Sequence, residues 1–420
     1  MVFFLSVCLI ILALLIFFQT GIKRLIFFIC GITFIPFGIE VAPHLDAHRI
    51  LILSFYLSIC IHKKEFKELK TIPGFRFIII ILITHLLTGF FDSRLSLFAG
   101  TYKSIIAFLE TFGTIFFGYV SCHHRDDKKY ITRFIRIFSL ILALYSLFTF
   151  FVGYDFFNQT IPGTDSLTDS RHRISSFLSN SHLAGLAFSM YLLIILYDNY
   201  IKNKNSLKSI LVYLLFIALL LTMSRSSLLN FITGCLFLYI PILLKSPHKK
   251  ILITSFILII IVCNQLIYHI LLQKFGAIFE PTGSSDVSGS NLETRTVQLY
   301  YSWLLFLNHP WLGNGFQYFW EVIKADGGSL SDYLAGAESY IFILLIERGL
   351  IQIIAISAYF IFLFSYFRKH KNAEISTLAI AMLVAFLVNS ILTGNGYKWT
   401  FCFPFLGMYI KSINFKYGNQ

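Results

Sequence analysis

A handful of arginine, serine, histidine and carboxylate side chains interrupt a chain that is otherwise almost continuously apolar, and their types point to anion chemistry. The sharpest is Arg225, within Leu221-Thr-Met-Ser-Arg-Ser-Ser-Leu228. It breaks an apolar stretch from Leu207 to Leu244 that is too long for one membrane span. Burying an arginine at the centre of a bilayer costs roughly 2.5–3.5 kcal/mol, so such a residue is functional by default. Its guanidinium is planar, permanently charged and forked, which suits phosphate, and Ser224 beside it adds a hydroxyl. The plainer alternative is an arginine at a short turn that snorkels to the headgroups. Arg295 stands on a helix-like run in which Leu292, Thr296, Leu299, Trp303 and Leu307 recur at roughly helical spacing. That run is expected to lie on the membrane or to cap the helix bundle, and Arg295 pairs there with Glu293, a lipid headgroup or a ligand.

Three further groups have the right chemistry. Arg171, His172 and Arg173 close a polar stretch just ahead of Ser175-Ser-Phe-Leu-Ser-Asn-Ser-His-Leu-Ala-Gly185. With Asn180 and His182 at the start of the helix that follows, they would bind an anionic or sugar-rich ligand, or anchor the interface. Glu338 begins an apolar run; it is either a general base for a hydroxyl or a carboxylate favoured by the helix dipole. Glu347 and Arg348, one turn or so deeper, read as a structural pair bonded between helices. Trp303, Trp311 and Trp320 stack on sugar faces or belt the membrane interface. The His44-Leu-Asp-Ala-His-Arg49 run crowds its ligands into one short turn and is not read as a metal site.

The elements that must hold these residues are membrane helices. Of the 420 residues, 57% are hydrophobic and 13% charged, about half the charge of a soluble domain. The fold class is therefore all-α and polytopic; a β-barrel would show short alternating segments instead. Apolar runs fall at 2–18, 22–39, 45–61, 74–91, 101–121, 131–153, 178–197, 207–223, 226–244, 250–272, 338–366, 374–393 and 396–413. The first lacks a basic leader and a cleavage site and is taken as a span. The net charge of +13 does not imply nucleic acid, because the lysines and arginines cluster between apolar runs, where they set topology. The basic connections alternate with poorer ones without conflict. This gives about twelve or thirteen spans, with residues 154–179, the 222–227 break and the long polar stretch 273–337 outside. Four regions follow: N-terminal helices 1–153, central helices 154–272, the large external loop 273–337 with short amphipathic helices, and C-terminal helices 338–420. The seven cysteines form no CxxC pair, so no disulfide, zinc or redox site is read. No nucleotide-binding glycine loop is present.

Together these segments resemble the O-antigen polymerase/ligase superfamily of bacterial cell envelopes, the Wzy and WaaL types. The resemblance covers about Arg171 to Gly349 and rests on Ser179-Asn-Ser-His-Leu-Ala-Gly185, Thr222-Met-Ser-Arg-Ser226, Arg295 with Trp303, Pro310-Trp-Leu-Gly-Asn-Gly315, Glu338-Ser-Tyr340 and Glu347-Arg-Gly349. It implies a metal-independent, cofactor-free glycosyltransferase in the bacterial inner membrane, with its active site facing the periplasm. Arg225 and Arg295 would hold the diphosphate of an undecaprenyl-linked glycan. Glu338 would activate the acceptor hydroxyl where the ligases carry histidine, which favours a polymerase of repeat units over a lipid A-core ligase. Arg171, His172, Arg173, Asn180, Ser224 and Trp303 would bind substrate. The implied partners are lipid-linked donor and acceptor glycans, membrane lipids and a chain-length regulator. A lipid-oligosaccharide flippase is the alternative of another class, but it should spread charge through several spans. An O-acyltransferase would need a buried histidine and an inward-facing donor site, and no such cluster is read in the sequence.

Overall fold

The computed structural model describes residues 2–35, 39–42, 45–92, 94–124, 126–153, 174–178, 180–201, 209–245, 292–323, 339–370, 374–393 and 398–417. The architecture is helical throughout: α1 (Val2–Phe18), α2 (Gly21–Phe34), α3 (Ala47–Ile61), α4 (Lys63–Glu68), α5 (Phe75–Phe90), α6 (Leu97–Glu110), α7 (Ile115–Ser121), α8 (Asp127–Val152), α9 (Ser181–Ile201), α10 (Ile210–Leu221), α11 (Arg225–Lys245), α12 (Leu292–Asn308), α13 (Tyr340–Lys369), α14 (Glu374–Leu392) and α15 (Trp399–Tyr417). Among the described residues the one exception is a small antiparallel hairpin ahead of α3, β1 (Glu40–Ala42) and β2 (Leu45–Asp46), with Glu40 opposite Asp46.

Four described helices are long and apolar enough to cross a membrane alone: 127–152, 181–199, 340–369 and 375–392. The number rises to six if each of two bent pairs is one span. Twelve or thirteen were expected. Several expected spans are shorter apolar helices, among them α3, α10 and parts of α1 and α11, and the expected span at 250–272 lies outside the described residues. The run at 101–121 is not one straight helix: it bends by 42° between α6 and α7. The basic stretch 63–71 meets α5 at 100°.

Helix α9 runs through the middle. Leu183 to Tyr197 are buried almost without exception, and α8, α10, α11 and α14 pack around it. The outer helices carry apolar side chains outward, as at Ile137, Ile141, Leu144 and Phe148 on α8. An apolar exterior on helices whose backbone bonds are satisfied internally is what a bilayer requires. The chain is a multi-helix membrane protein.

Connections that share one side in the sequence pattern are bonded to one another. At the end of the bundle called lower here, Arg24 donates to Ser58 Oγ (2.8 Å) and to Glu65, and Glu65 lies 3.6 Å from His123. The nearby Glu65 carboxylate raises the pKa of His123 above its ordinary value. Lys411 donates to Glu68 (2.9 Å), and Tyr119 donates to the Thr71 carbonyl (3.1 Å). At the upper end, Arg94 donates to the Phe316 carbonyl (3.2 Å) and Lys103 to Glu321 (2.6 Å). The α5–α6 connection thus grips the polar stretch that follows α12.

Candidate functional site

The 222–227 break folds as a tight reversal. Met223 takes a left-handed φ of 49°, α10 ends at Leu221, and α11 begins at Arg225 itself. Ser224 is buried, and its Oγ lies 2.8 Å from Ser227 Oγ and 3.2 Å from Ser226 Oγ. Helix α9 starts against the same turn. Asn180 Oδ1 caps it, accepting from the backbone N–H of His182 (2.9 Å) and Leu183 (3.2 Å). His182 Nδ1 lies 3.1 Å from Ser224 Oγ, and Ser227 Oγ donates to the His182 carbonyl (3.2 Å). Gly185 allows this closeness, since a Cβ there would come within 2.6 Å of the Ser227 side chain. Two helix N-termini, three hydroxyls and a half-buried arginine therefore converge. Helix N-termini carry partial positive charge, which is the polarity that suits an anion.

Of the residues singled out in the sequence, Arg225, Ser224 and Asn180 are brought together here. Ile174 donates its backbone N–H to the Leu221 carbonyl (3.3 Å), so the chain reaches this turn directly after Arg171, His172 and Arg173, which lie outside the described residues. Glu338 also lies outside them, one residue before buried Ser339. Arg295 is in the first turn of α12, a separate assembly docked on α13.

That second assembly decides against one of two alternatives and corrects one expectation. The Leu299–Trp303–Leu307 stripe does not cap the bundle: these residues are about half exposed, Trp303 at 49%, and the Gln298, Ser302, Leu305 and Phe306 face is buried instead. Leu305 packs with Phe319, Ile343 and Ile346. The stripe faces away from the described protein, whose side of the helix is already filled. Secondly, α13 is not continuous. Gly349 has φ 65° and ψ −174°, which breaks the helix and leaves backbone groups without helical partners. The Pro310–Gly315 turn supplies them. Asn314 and Gly315 donate backbone N–H to the Ile346 (2.9 Å) and Glu347 (3.0 Å) carbonyls, and the Pro310 carbonyl accepts from Leu350 N–H (2.8 Å). Asn314 Nδ2 adds bonds to the Ile346 and Leu305 carbonyls. Two motifs that look separate in the sequence form one joint.

Glu347 and Arg348 do bond between segments, although not to each other. Glu347 accepts from the Phe319 N–H (3.2 Å), while Arg348 reaches His85 Nε2 on α5 (3.2 Å) and stacks over Phe316. Sequence reasoning passed over His85, an ionisable residue inside Phe75-Arg-Phe-Ile-Ile-Ile-Ile-Leu-Ile-Thr-His-Leu-Leu-Thr88, where its place in an apolar run was the available signal. It also passed over Lys398, which is fully buried. Among the described residues no cluster of three His, Cys, Asp or Glu side chains could hold a metal.

A prediction separates fold from chemistry at Asn180. Alanine there removes the α9 cap and should cost about 1 kcal/mol. N180D keeps the cap, so its thermal midpoint in detergent should match wild type, yet its added negative charge should weaken phosphate-ligand binding about tenfold. Equal loss of stability in both variants would contradict the capping role.

The fold is that of a helical membrane protein in which Arg225 and a cluster of serine hydroxyls stand where two helices begin. Residues 210–357 match the family model described as O-antigen ligase, which covers α10, α11, α12 and the break in α13. This part of the chain is similar to that family, within the wider polymerase/ligase superfamily. No curated protein matches the chain.

Proposed function

We propose that this protein is an integral-membrane glycosyltransferase that polymerises undecaprenyl-diphosphate-linked oligosaccharide repeats on the periplasmic face of the bacterial inner membrane. The observation that carries the reading is the convergence of two helix N-termini on Ser224 and Arg225. Charge develops on the leaving diphosphate as the glycosidic bond breaks, and fixed donors at that point stabilise it. In the proposed step an acceptor hydroxyl oxygen attacks the anomeric carbon of the donor sugar. The bond to undecaprenyl diphosphate breaks, the diphosphate leaves with the electron pair, and Glu338 takes the hydroxyl proton. Arg295 and the Arg171–Arg173 group supply further positive charge to diphosphate and glycan, and no metal or cofactor is needed. A chain-length regulator is a candidate partner.

The family description favours a second reading, a ligase that moves finished glycan to lipid A-core. Both are tested by replacing Arg225, Arg295 and Glu338 singly, checking membrane levels and resolving the surface glycan on a gel. The polymerase reading expects E338Q to give single capped repeats in place of a ladder. Loss of all surface glycan with lipid-linked polymer accumulating would establish the ligase. Wild-type ladders from all three variants would sink both.

A further inference from the structure

A second set of buried donors stands at the start of α13. Lys398 is completely buried in the connection before α15. Its Nζ donates to the Thr393 carbonyl (3.0 Å) and sits 4.3 Å above the Tyr340 ring. The same carbonyl accepts from the Tyr340 backbone N–H (3.1 Å), so Lys398 is fixed against the first turn of α13. An ammonium has three N–H donors, and among the described residues one is used, by the Thr393 carbonyl. Lys398 forms no ion pair with any described carboxylate. Arg348, 5.9 Å from the same ring, forms no described ion pair with Glu347 or Glu110. The Trp399 indole N–H, the Tyr340 hydroxyl and the Asn389 amide nitrogen are buried and complete no hydrogen bond. Among the described residues, the surroundings hold more donors than acceptors, and no described carboxylate pairs with Lys398.

The level of this group in the bundle matters. A Cβ on Gly234 of α11 would meet both Leu193 of α9 and Ala385 of α14, at 2.6 and 3.3 Å. Arg225 is nine residues before Gly234 and Thr393 eight residues after Ala385. At 1.5 Å per residue these are rises of about 13 and 12 Å. The Thr393 carbonyl that holds Lys398 therefore stands level with Arg225, on a helix packed against α11.

We infer that Lys398 is a substrate-binding residue that, with Tyr340 and Trp399 beside it, receives a phosphate oxyanion of the lipid-linked diphosphate. The inference rests on the diphosphate reading above and extends its site from the α9–α11 turn to the α13–α15 side. A buried lysine that pairs with no described carboxylate gains from an oxyanion that enters beside it. A merely structural lysine would gain nothing from it.

The test uses the full-length protein in detergent, with undecaprenyl diphosphate, undecaprenol and inorganic pyrophosphate as probes. K398M is expected to keep or raise the ligand-free thermal midpoint, because it removes the buried charge. Its affinity for undecaprenyl diphosphate should fall at least tenfold, while binding of undecaprenol, which lacks phosphate, should not change. Competition by inorganic pyrophosphate that is lost in K398M would assign the contact to the oxyanion and not to the lipid. Should K398M fail to purify as a monodisperse protein, K398Q, which keeps a donor for the Thr393 carbonyl, reads the same affinity. A lowered midpoint with affinity within twofold of wild type would make Lys398 structural and overturn the inference. If R225A loses the ligand while K398M keeps it, the inference alone fails. If neither variant loses it, the diphosphate reading falls with it.

Discussion

Alanine at position 225 is expected to abolish glycan transfer while leaving the protein folded in the membrane. Arg225 is the first residue of α11, half-buried, and surrounded by hydroxyls that are already bonded among themselves and to α9. The turn is held by the Ser224 and Ser227 hydroxyls, which bond each other and α9. A donor fixed where charge develops is worth about 10²–10³ in rate when removed singly. R225A should lower turnover of a lipid-linked substrate by at least that factor, with a thermal midpoint close to wild type. R225K should recover only part, since an ammonium keeps the charge and loses the fork that fits two phosphate oxygens. Turnover of R225A within a few-fold of wild type would remove Arg225 from the site.

The second large effect falls on folding. G349A should destabilise the protein by about 3 kcal/mol and release α12 from α13. Gly349 occupies a backbone region that is almost exclusive to glycine, where any other residue costs about 1–3 kcal/mol in strain. A Cβ there would also lie 2.5 Å from the Gly313 nitrogen and 2.6 Å from the Trp311 carbonyl, both rigid backbone. G313A should act likewise, because its Cβ would lie 2.3 Å from the Glu347 carbonyl carbon and Gly313 has φ 74°. The two changes break one joint, so the double variant should be less damaged than the sum of the singles. Thermal unfolding and protease cleavage after Arg295 would measure this. A G349A protein within about 1 kcal/mol of wild type would show that the joint yields at little cost.

That joint also marks how far the chain could be read without its structure. The apolar runs located the described helices, because a helix in lipid must satisfy its backbone internally and therefore has a long apolar run as its signature. The break at Thr222–Ser224 was legible for the same reason: the run was too long, and a serine-flanked arginine stood at its middle. The grouping of Asn180, Ser224 and Arg225 was half legible. Each lies at a helix start, but only packing through Gly185 sets two starts side by side.

Other features left no local trace. The bend at Thr111 and the break at Gly349 lie inside runs whose composition reads as continuous helix. Helix α12 shows an apolar stripe, yet a stripe does not say whether protein or lipid covers it; here the buried face carries Gln298 and Ser302, and the stripe points outward. His85 with Arg348, and Lys398 with Tyr340, pair residues hundreds or tens of positions apart. By itself the sequence determined that this is a helical membrane protein whose polar chemistry gathers around a few arginines, because hydropathy and charge act residue by residue. The tertiary structure decided which of those residues meet, because that depends on helix breaks and close approaches that only the packed chain defines.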